Sequence, residues 1–302
     1  MTVRARAVVR TLVLALMVET AQAWPLVPPA GASAHVPGGH GNSRDADLVW
    51  IPAGHYRPLY KRPVEDSIGG QTAPATSRVS VPGFWLARHA VTNADYLAFV
   101  REHPEWRRSR APRLFVDGAY LQHWRGDLDC GDPVLAQSPV VNVSWFAARA
   151  YCAASGGRLP TVDQWEYVGA ANEHEADATR EAHFQDRLRA WYSEPTPSRV
   201  AHVGSTFENV YGVWDMHGLV WEWTLDYSSA LVSGESRADA ALDRSIYCGS
   251  GATNATDFHD YAAFMRYAFR SSLSARYCVA SLGFRMASDA GAPIARTGRD
   301  GR

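Results

Sequence analysis

In "TNADYLAFVREH" apolar side chains recur at Tyr96, Phe99 and Val100 behind Thr92. That spacing lines one face of a helix. Thr92 is a good N-cap, and Asp95, three residues on, approximates a capping box. A second helix is predicted in "NVSWFAARAYCAASGG". Ser144 caps it, Trp145, Ala148 and Cys152 share a face, and Gly156-Gly157 stops it. A third lies in "RLPTVDQWEYVGAAN", where Thr161 and Gln164 form a capping box and Trp165 and Val168 point inward. Strand signals are shorter. "LVWIPAGHYRPL" turns at Pro52-Ala53-Gly54, and Val79, Val81, Phe84, Leu86 and Val91 give strand pieces around Pro82-Gly83. "VWEWTLDY" and "LGFRMA" read as further short strands, in a stretch that is otherwise loop-rich and aromatic. The fold class expected is α+β, as one domain over 48–288, with a disordered tail at 289–302.

The first residues follow a different pattern. Arg4, Arg6 and Arg10 precede the short apolar run "TLVLALMV", and "AQA" ends at Ala23. A positive region, a short apolar region and a small-x-small site form a secretory signal peptide over 1–23. The run is too short to span a bilayer as a helix. Residues 24–47 are rich in Pro, Gly, Ala and Ser, as a flexible linker is. The expectation is a periplasmic or secreted protein with no stable membrane span after cleavage.

The chain has 302 residues and a formal net charge of −1, so no polyelectrolyte partner is implied. The arginines look scattered, and nucleic-acid binding gets no support. There are 11 tryptophans, enough to anchor long loops with large flat side chains. Cys130, Cys152, Cys248 and Cys278 are the cysteines, with no CxxC spacing for a zinc knot. The mature chain has no GxSxG, P-loop, GxGxxG or HExxH pattern, so hydrolase and nucleotide-binding readings have no motif behind them.

Several segments, read in order, carry a resemblance: "WIPAG", "FWLARHAVTNADYLAFV", "PVVNVSWFAARAYCAASGGRLPTVDQWEYVGAA", "NVYGVWDMHGLVWEWTLDY", "RYAFRSS" and "LGFRMA". Together they resemble the formylglycine-generating enzyme family, also called the sulfatase-modifying-factor family, over about Val49 to Ala287. The resemblance implies a loop-rich domain related to the C-type-lectin fold, with calcium sites that pin loops. It also implies oxidation of a sulfatase cysteine to formylglycine by oxygen and a copper(I) ion, held by two cysteines in the pattern GGS-x-x-C-x-x-x-x-C. Copper(I) is soft and prefers thiolate.

This chain departs from that pattern. Its matching stretch begins Cys248-Gly249-Ser250-Gly251-Ala252-Thr253, so the first cysteine position falls on Thr253 and the second on Phe258. "GLVWEW" has Leu219 where the family has asparagine, so a calcium site using Glu222, Asn209 and Asp215 is expected to be weakened. The usual partner of the cysteine in "AYC" is here Met286, which makes Cys152 a buried free thiol. "DMHGLVWEW", "GESR" and "DYAAFMRYAFRSSL" resemble a divergent, NirV-like branch.

The candidate chemistry follows. Cys248, Ser250 and Thr253 are the candidate catalytic residues. Cys248 is either a copper ligand, joined by Cys278, Met265 or His259, or half of a disulfide with Cys278 or Cys130. Arg266, Arg270, Ser271 and Ser272 match family residues that line the substrate groove, and fit an extended peptide of a partner protein; both arginines read equally as buried ion pairs. His217 reads as a hydrogen-bonded core residue. Glu222, between two indoles, needs a cation or an arginine. The functional expectation is a maturation factor for a periplasmic metalloprotein, not a standard sulfatase activator. The alternatives are a metal-dependent oxidase with a rewired cysteine site and a non-catalytic binding module. Expressed with its leader in a bacterium, the exported protein should begin at Trp24 by intact mass; a chain retaining Met1 would refute the cleavage.

Overall fold

The computed structural model describes residues 47–59, 78–194, 199–227 and 260–289. The three predicted helices are present. α1 spans Asn93–Glu102, α2 spans Trp145–Ala154 and α3 spans Val162–Gly169. Thr92 and Thr161 cap α1 and α3 with complete capping boxes, closed by Asp95 and Gln164. Ser144 caps α2 by accepting from the Ala147 N–H. Each cap satisfies helix-end donors that the fold would otherwise bury unpaired.

Two further helices lie where the sequence reads as loop. α4 spans Ala182–Ser193 and α5 spans Tyr261–Ser271. In α4, Phe184, Gln185 and Leu188 form the buried stripe, and Glu181 caps the first turn. In α5 the buried face is Ala262, Ala263, Arg266, Tyr267 and Arg270. Two arginines stand where apolar residues would mark a helix, so hydrophobic periodicity understates it.

The strands are short. β1 (Leu48–Ile51) pairs antiparallel with β4 (Phe84–Ala87), and β4 with β7 (Ala287–Ser288). β2 (Gly54–Tyr56) pairs with β3 (Val79–Val81). β5 (Trp221–Glu222) and β6 (Leu282–Gly283) form a two-residue parallel pair. Gly283 has no room for a side chain, because a Cβ there would meet the Val140 carbonyl oxygen at 2.7 Å. Such short strands cannot hold a domain together by themselves.

The core does so instead. One cluster gathers Tyr96, Trp124, Val140, Leu159, Trp223, Leu282 and Phe284 between α1, α2 and the C-terminal segment. A second packs Ile51, Phe84, Trp165, Val168 and Met216 where α3 meets the β1–β4–β7 sheet. Large indoles anchor the loops through their N–H groups: Trp223 donates to the Val143 carbonyl, Trp124 to Asn93 and Trp145 to the Thr224 carbonyl. Among the described residues no helix is long and apolar enough to cross a membrane.

Between the layers lies Glu222, fully enclosed. Arg285 donates to both its oxygens from Nε and Nη2, at 2.8–3.0 Å. Trp165 adds its indole N–H at 2.8 Å. The rest of the guanidinium is spent on the carbonyls of Ala87, Arg88 and Trp214. Removing one partner from such a pair strands a buried charge, whereas replacing both with apolar residues is far milder. Arg285→Met should therefore cost about 3–5 kcal/mol in urea unfolding, and Glu222→Leu added to it should recover part of that loss. Additive losses in the double variant would show that the two residues are not coupled.

Candidate functional site

α5 brings Arg266 and Arg270 to one face, a helical turn apart, and aims both at Glu166 on α3. Arg266 reaches Glu166 from Nε at 3.0 and 3.1 Å and from Nη2 at 2.7 Å. Arg270 adds Nη1 at 2.5 Å. Glu166 and both arginines are 4–5 % exposed. Both guanidiniums lie over the Trp165 ring, at 5.6 and 4.9 Å from its centre. Arg266 Nη1 also donates to the Tyr192 hydroxyl at 3.2 Å. The arginines are thus ion-pair partners inside the protein, one of the two readings their residue types allowed. Ser271 and Ser272 follow them, but their hydroxyls turn back on the helix, onto the carbonyls of Ala268 and Phe269 at 2.7 Å.

A cleft opens beside this pair. Its walls are β2 with His55 and Tyr56, Glu166 and Tyr167 of α3, the turn with Asp177 and Thr179, and Asp260 and Arg266 at the start of α5. Tyr56 donates to Asp163 at 2.6 Å, tying β2 to the first turn of α3. Under the cleft His217 donates Nε2 to the Gly169 carbonyl at 2.8 Å, with the rings of Trp165 and Phe184 edge-on to it. Burial, with the Arg266 charge, pulls its pKa down to about 3 against that hydrogen bond. It is a neutral core histidine at physiological pH.

The three residues assigned to calcium each have partners within the protein. Glu222 is neutralised by Arg285. Asn209 Oδ1 accepts from the N–H groups of Tyr211 and Val213, and its amide donates to the Val168 carbonyl. Asp215, at φ 57°, accepts from Gly204 N–H and from Thr206 N–H and hydroxyl, with His89 4.0 Å away. Burial would raise its pKa, but His89 and these donors hold it below the usual carboxylate value. All three are engaged by protein donors, as turn and core residues. Among the described residues no group of three or more His, Cys, Asp or Glu could hold a metal ion.

Cys248, Ser250 and Thr253 lie outside the described residues. The other three cysteines are free thiols. This agrees with the reading of Cys152 as a buried free thiol, and the pairing of Cys248 lies outside the described residues. Burial pushes the Cys152 thiol far above its ordinary range. Burial also pushes Cys278 up to about 12, with Asp117 adding its own effects. Neither carries a thiolate at neutral pH.

The residue that sequence reasoning passed over is Glu166. Its signal was present: a lone carboxylate between Trp165 and Tyr167 on an apolar helix face needs a cation. Burial favours the neutral acid, but the charges and hydrogen bonds of Arg266 and Arg270 outweigh it and lower the pKa to about 2. The unfolded value is about 4.3. The folded pKa is depressed, so the stabilisation is complete above pH ~4.3 and lost as pH falls toward ~2, on the order of 3 kcal/mol. Glu166→Gln should be destabilised at pH 7 by about 3–5 kcal/mol and should lose less between pH ~4.5 and ~2. Parallel acid-denaturation curves for the two proteins would exclude this role.

Known proteins can now be set beside this geometry. The family model for the sulfatase-modifying factor enzyme 1-like domain matches residues 34–290. The inactive C-alpha-formylglycine-generating enzyme 2 of Bos taurus is 27% identical over 299 residues, covering 84% of this chain and 91% of that protein. The formylglycine-generating enzyme of Streptomyces coelicolor is 29% identical over 233 residues, covering 67% and 66%. The hercynine oxygenase of Mycolicibacterium smegmatis is 29% identical over 164 residues, covering 48% and 38%. Among solved structures, CarF is similar with a TM-score of 0.46 and 14% identity, covering 82% of this chain and 99% of that chain. With the helices, strands and buried core of the domain all inside the matched span, the chain belongs to the sulfatase-modifying factor, or formylglycine-generating enzyme, family.

Proposed function

We propose that this protein is an exported member of the family that assists maturation of a partner metalloprotein, and does not activate sulfatases by the standard route. The observation that carries this is the pair Thr253 and Phe258 at the two copper-cysteine positions of the family pattern. A hydroxyl and a phenyl ring offer copper(I) no thiolate. The buried, protonated Cys152 and Cys278 are poor substitutes. A relative named as inactive, matched over most of both chains, is in keeping with a scaffold whose standard chemistry has been removed. The segments "DMHGLVWEW", "GESR" and "DYAAFMRYAFRSSL" support reading the chain as a member of the divergent NirV-like branch.

In this reading the scaffold acts by binding. The partner's segment makes first contact at the cleft beside Glu166 and Arg266, whose lining mixes polar and apolar groups. Cys248, with Ser250 and Thr253 close to it in the chain, is the group left to receive copper for delivery. Calcium is not part of the proposal, since Glu222 is already satisfied by Arg285.

The test is a sulfatase-type Cys-x-Pro-x-Arg peptide incubated with the mature protein, copper(I) and oxygen. The expected result is unchanged peptide by mass spectrometry. Aldehyde product that disappears with Cys248→Ala would overturn the proposal. In parallel, an anaerobic copper(I) competition titration should give one equivalent that Cys248→Ala abolishes. Absence of that equivalent would remove copper from the proposal.

A further inference from the structure

The Arg88 N–H donates to the Asp47 carbonyl at 2.8 Å, so these two residues form a hydrogen-bonded pair at the end of the β1–β4 ladder. Such pairs alternate along antiparallel strands, so Val49 and Ile51 give their backbone groups to Leu86 and Phe84. Leu48 and Trp50 then point theirs the other way. β1 is an end strand of its sheet, which runs in the order β1–β4–β7, so that direction is open. Among the described residues no backbone bond closes the N–H or carbonyl groups of Leu48 and Trp50.

Natural sheet edges are blunted by Lys, Pro, a bulge or a covering segment. Within β1 none of the first three is present: the strand reads Leu-Val-Trp-Ile, and its register with β4 is unbroken. Pro52 comes only after the strand has ended. The adjacent charge, Asp47, is tied through its side chain to Arg88 at 2.8 Å. Trp50 shares a sheet face with Leu48 and is 36 % exposed. Its ring is held in place. It lies on Gly83, where a Cβ would meet it at 2.5 Å, and stands edge-on to Trp85 at 5.4 Å.

An open row of backbone donors and acceptors is matched by another extended backbone. A second copy of this chain fits the edge in one defined register. A two-fold axis through Val49 sets Leu48 against Trp50 of the second copy, and Trp50 against Leu48 of the second copy. Both members of each pair have their N–H and carbonyl facing outward, so each pair exchanges both its bonds. On the sheet face, Trp50 gains a leucine on one side to match Trp85 on the other. No like charges meet across the axis, because β1 carries none. An undefended edge also meets its own copy at whatever concentration the protein reaches. We propose that β1 pairs antiparallel with β1 of a second copy, joining two β1–β4–β7 sheets into one across a two-fold axis. The strand is short, so the dimer is reversible and concentration-dependent. It does not depend on the function proposed above.

The experiment is sedimentation velocity on the mature protein from ~1 to ~500 µM, with thermal unfolding midpoints alongside. A monomer–dimer equilibrium is expected within that range. Leu48→Pro removes one outward N–H and no bond to β4, a position where an edge strand tolerates proline. It should weaken the dimer tenfold or more and leave the midpoint of the dilute protein unchanged. Trp50→Lys, which puts a charge on the edge, should weaken it as much. Tyr277→Lys, at an exposed aromatic position away from this sheet, should leave it intact. Val49→Cys, on the axis, should yield a disulfide-linked dimer on mild oxidation. A monomer at every concentration, or a dimer indifferent to both Leu48→Pro and Trp50→Lys, would overturn the proposal. So would a chain that stays monomeric yet binds an extended apolar peptide in a manner sensitive to Leu48→Pro, which would assign the edge to a foreign strand.

Discussion

The domain depends on how two carboxylates are kept ionised in its interior, and one indole serves both. Trp165 gives its N–H to Glu222 and its ring face to the arginines that neutralise Glu166. A buried carboxylate is costly unless its charge is matched and its lone pairs are occupied. Here both conditions are met with side chains from distant parts of the chain. Arg285 reaches Glu222 across 63 residues, and Arg266 reaches Glu166 across 100. Strands of two to four residues contribute little register of their own, so these pairs fix how α3, α5, β5 and the segment after β6 meet.

That arrangement also explains why the candidate residues divide as they do. Side chains that a motif-based reading assigns to metal or substrate are largely consumed by the architecture. Glu222, Asn209 and Asp215 accept from protein donors, and Arg266 and Arg270 face inward onto one carboxylate. What remains for function among the described residues is the polar cleft beside Glu166. That cleft is walled by Glu166 and Arg266 themselves, so anything bound there touches the network directly.

Legibility in the sequence followed the physics of each element. α1, α2 and α3 could be read because their caps and apolar stripes are local signals. α4 carried a similar signal in Phe184 and Leu188 but lacked a Ser, Thr, Asp or Asn cap, since Glu181 takes that place. α5 was hidden because its inward face includes two arginines, and only the distant Glu166 makes such a face stable. The ambiguity at Glu222, calcium or arginine, was stated correctly by charge alone; the choice needed Arg285, whose proximity is purely tertiary.

The segment from Ser281 to Ser288 touches nearly every layer. Its backbone pairs with Trp221, Trp223, Ala87, Val91 and Arg158, and its side chains include Phe284 and Arg285. These partners are all translated before it. During synthesis the earlier helices can form their caps, yet the two core clusters stay open at one side until this stretch emerges. Closure is therefore a long-range event, and the two clusters share one clasp whose loss would open both at once.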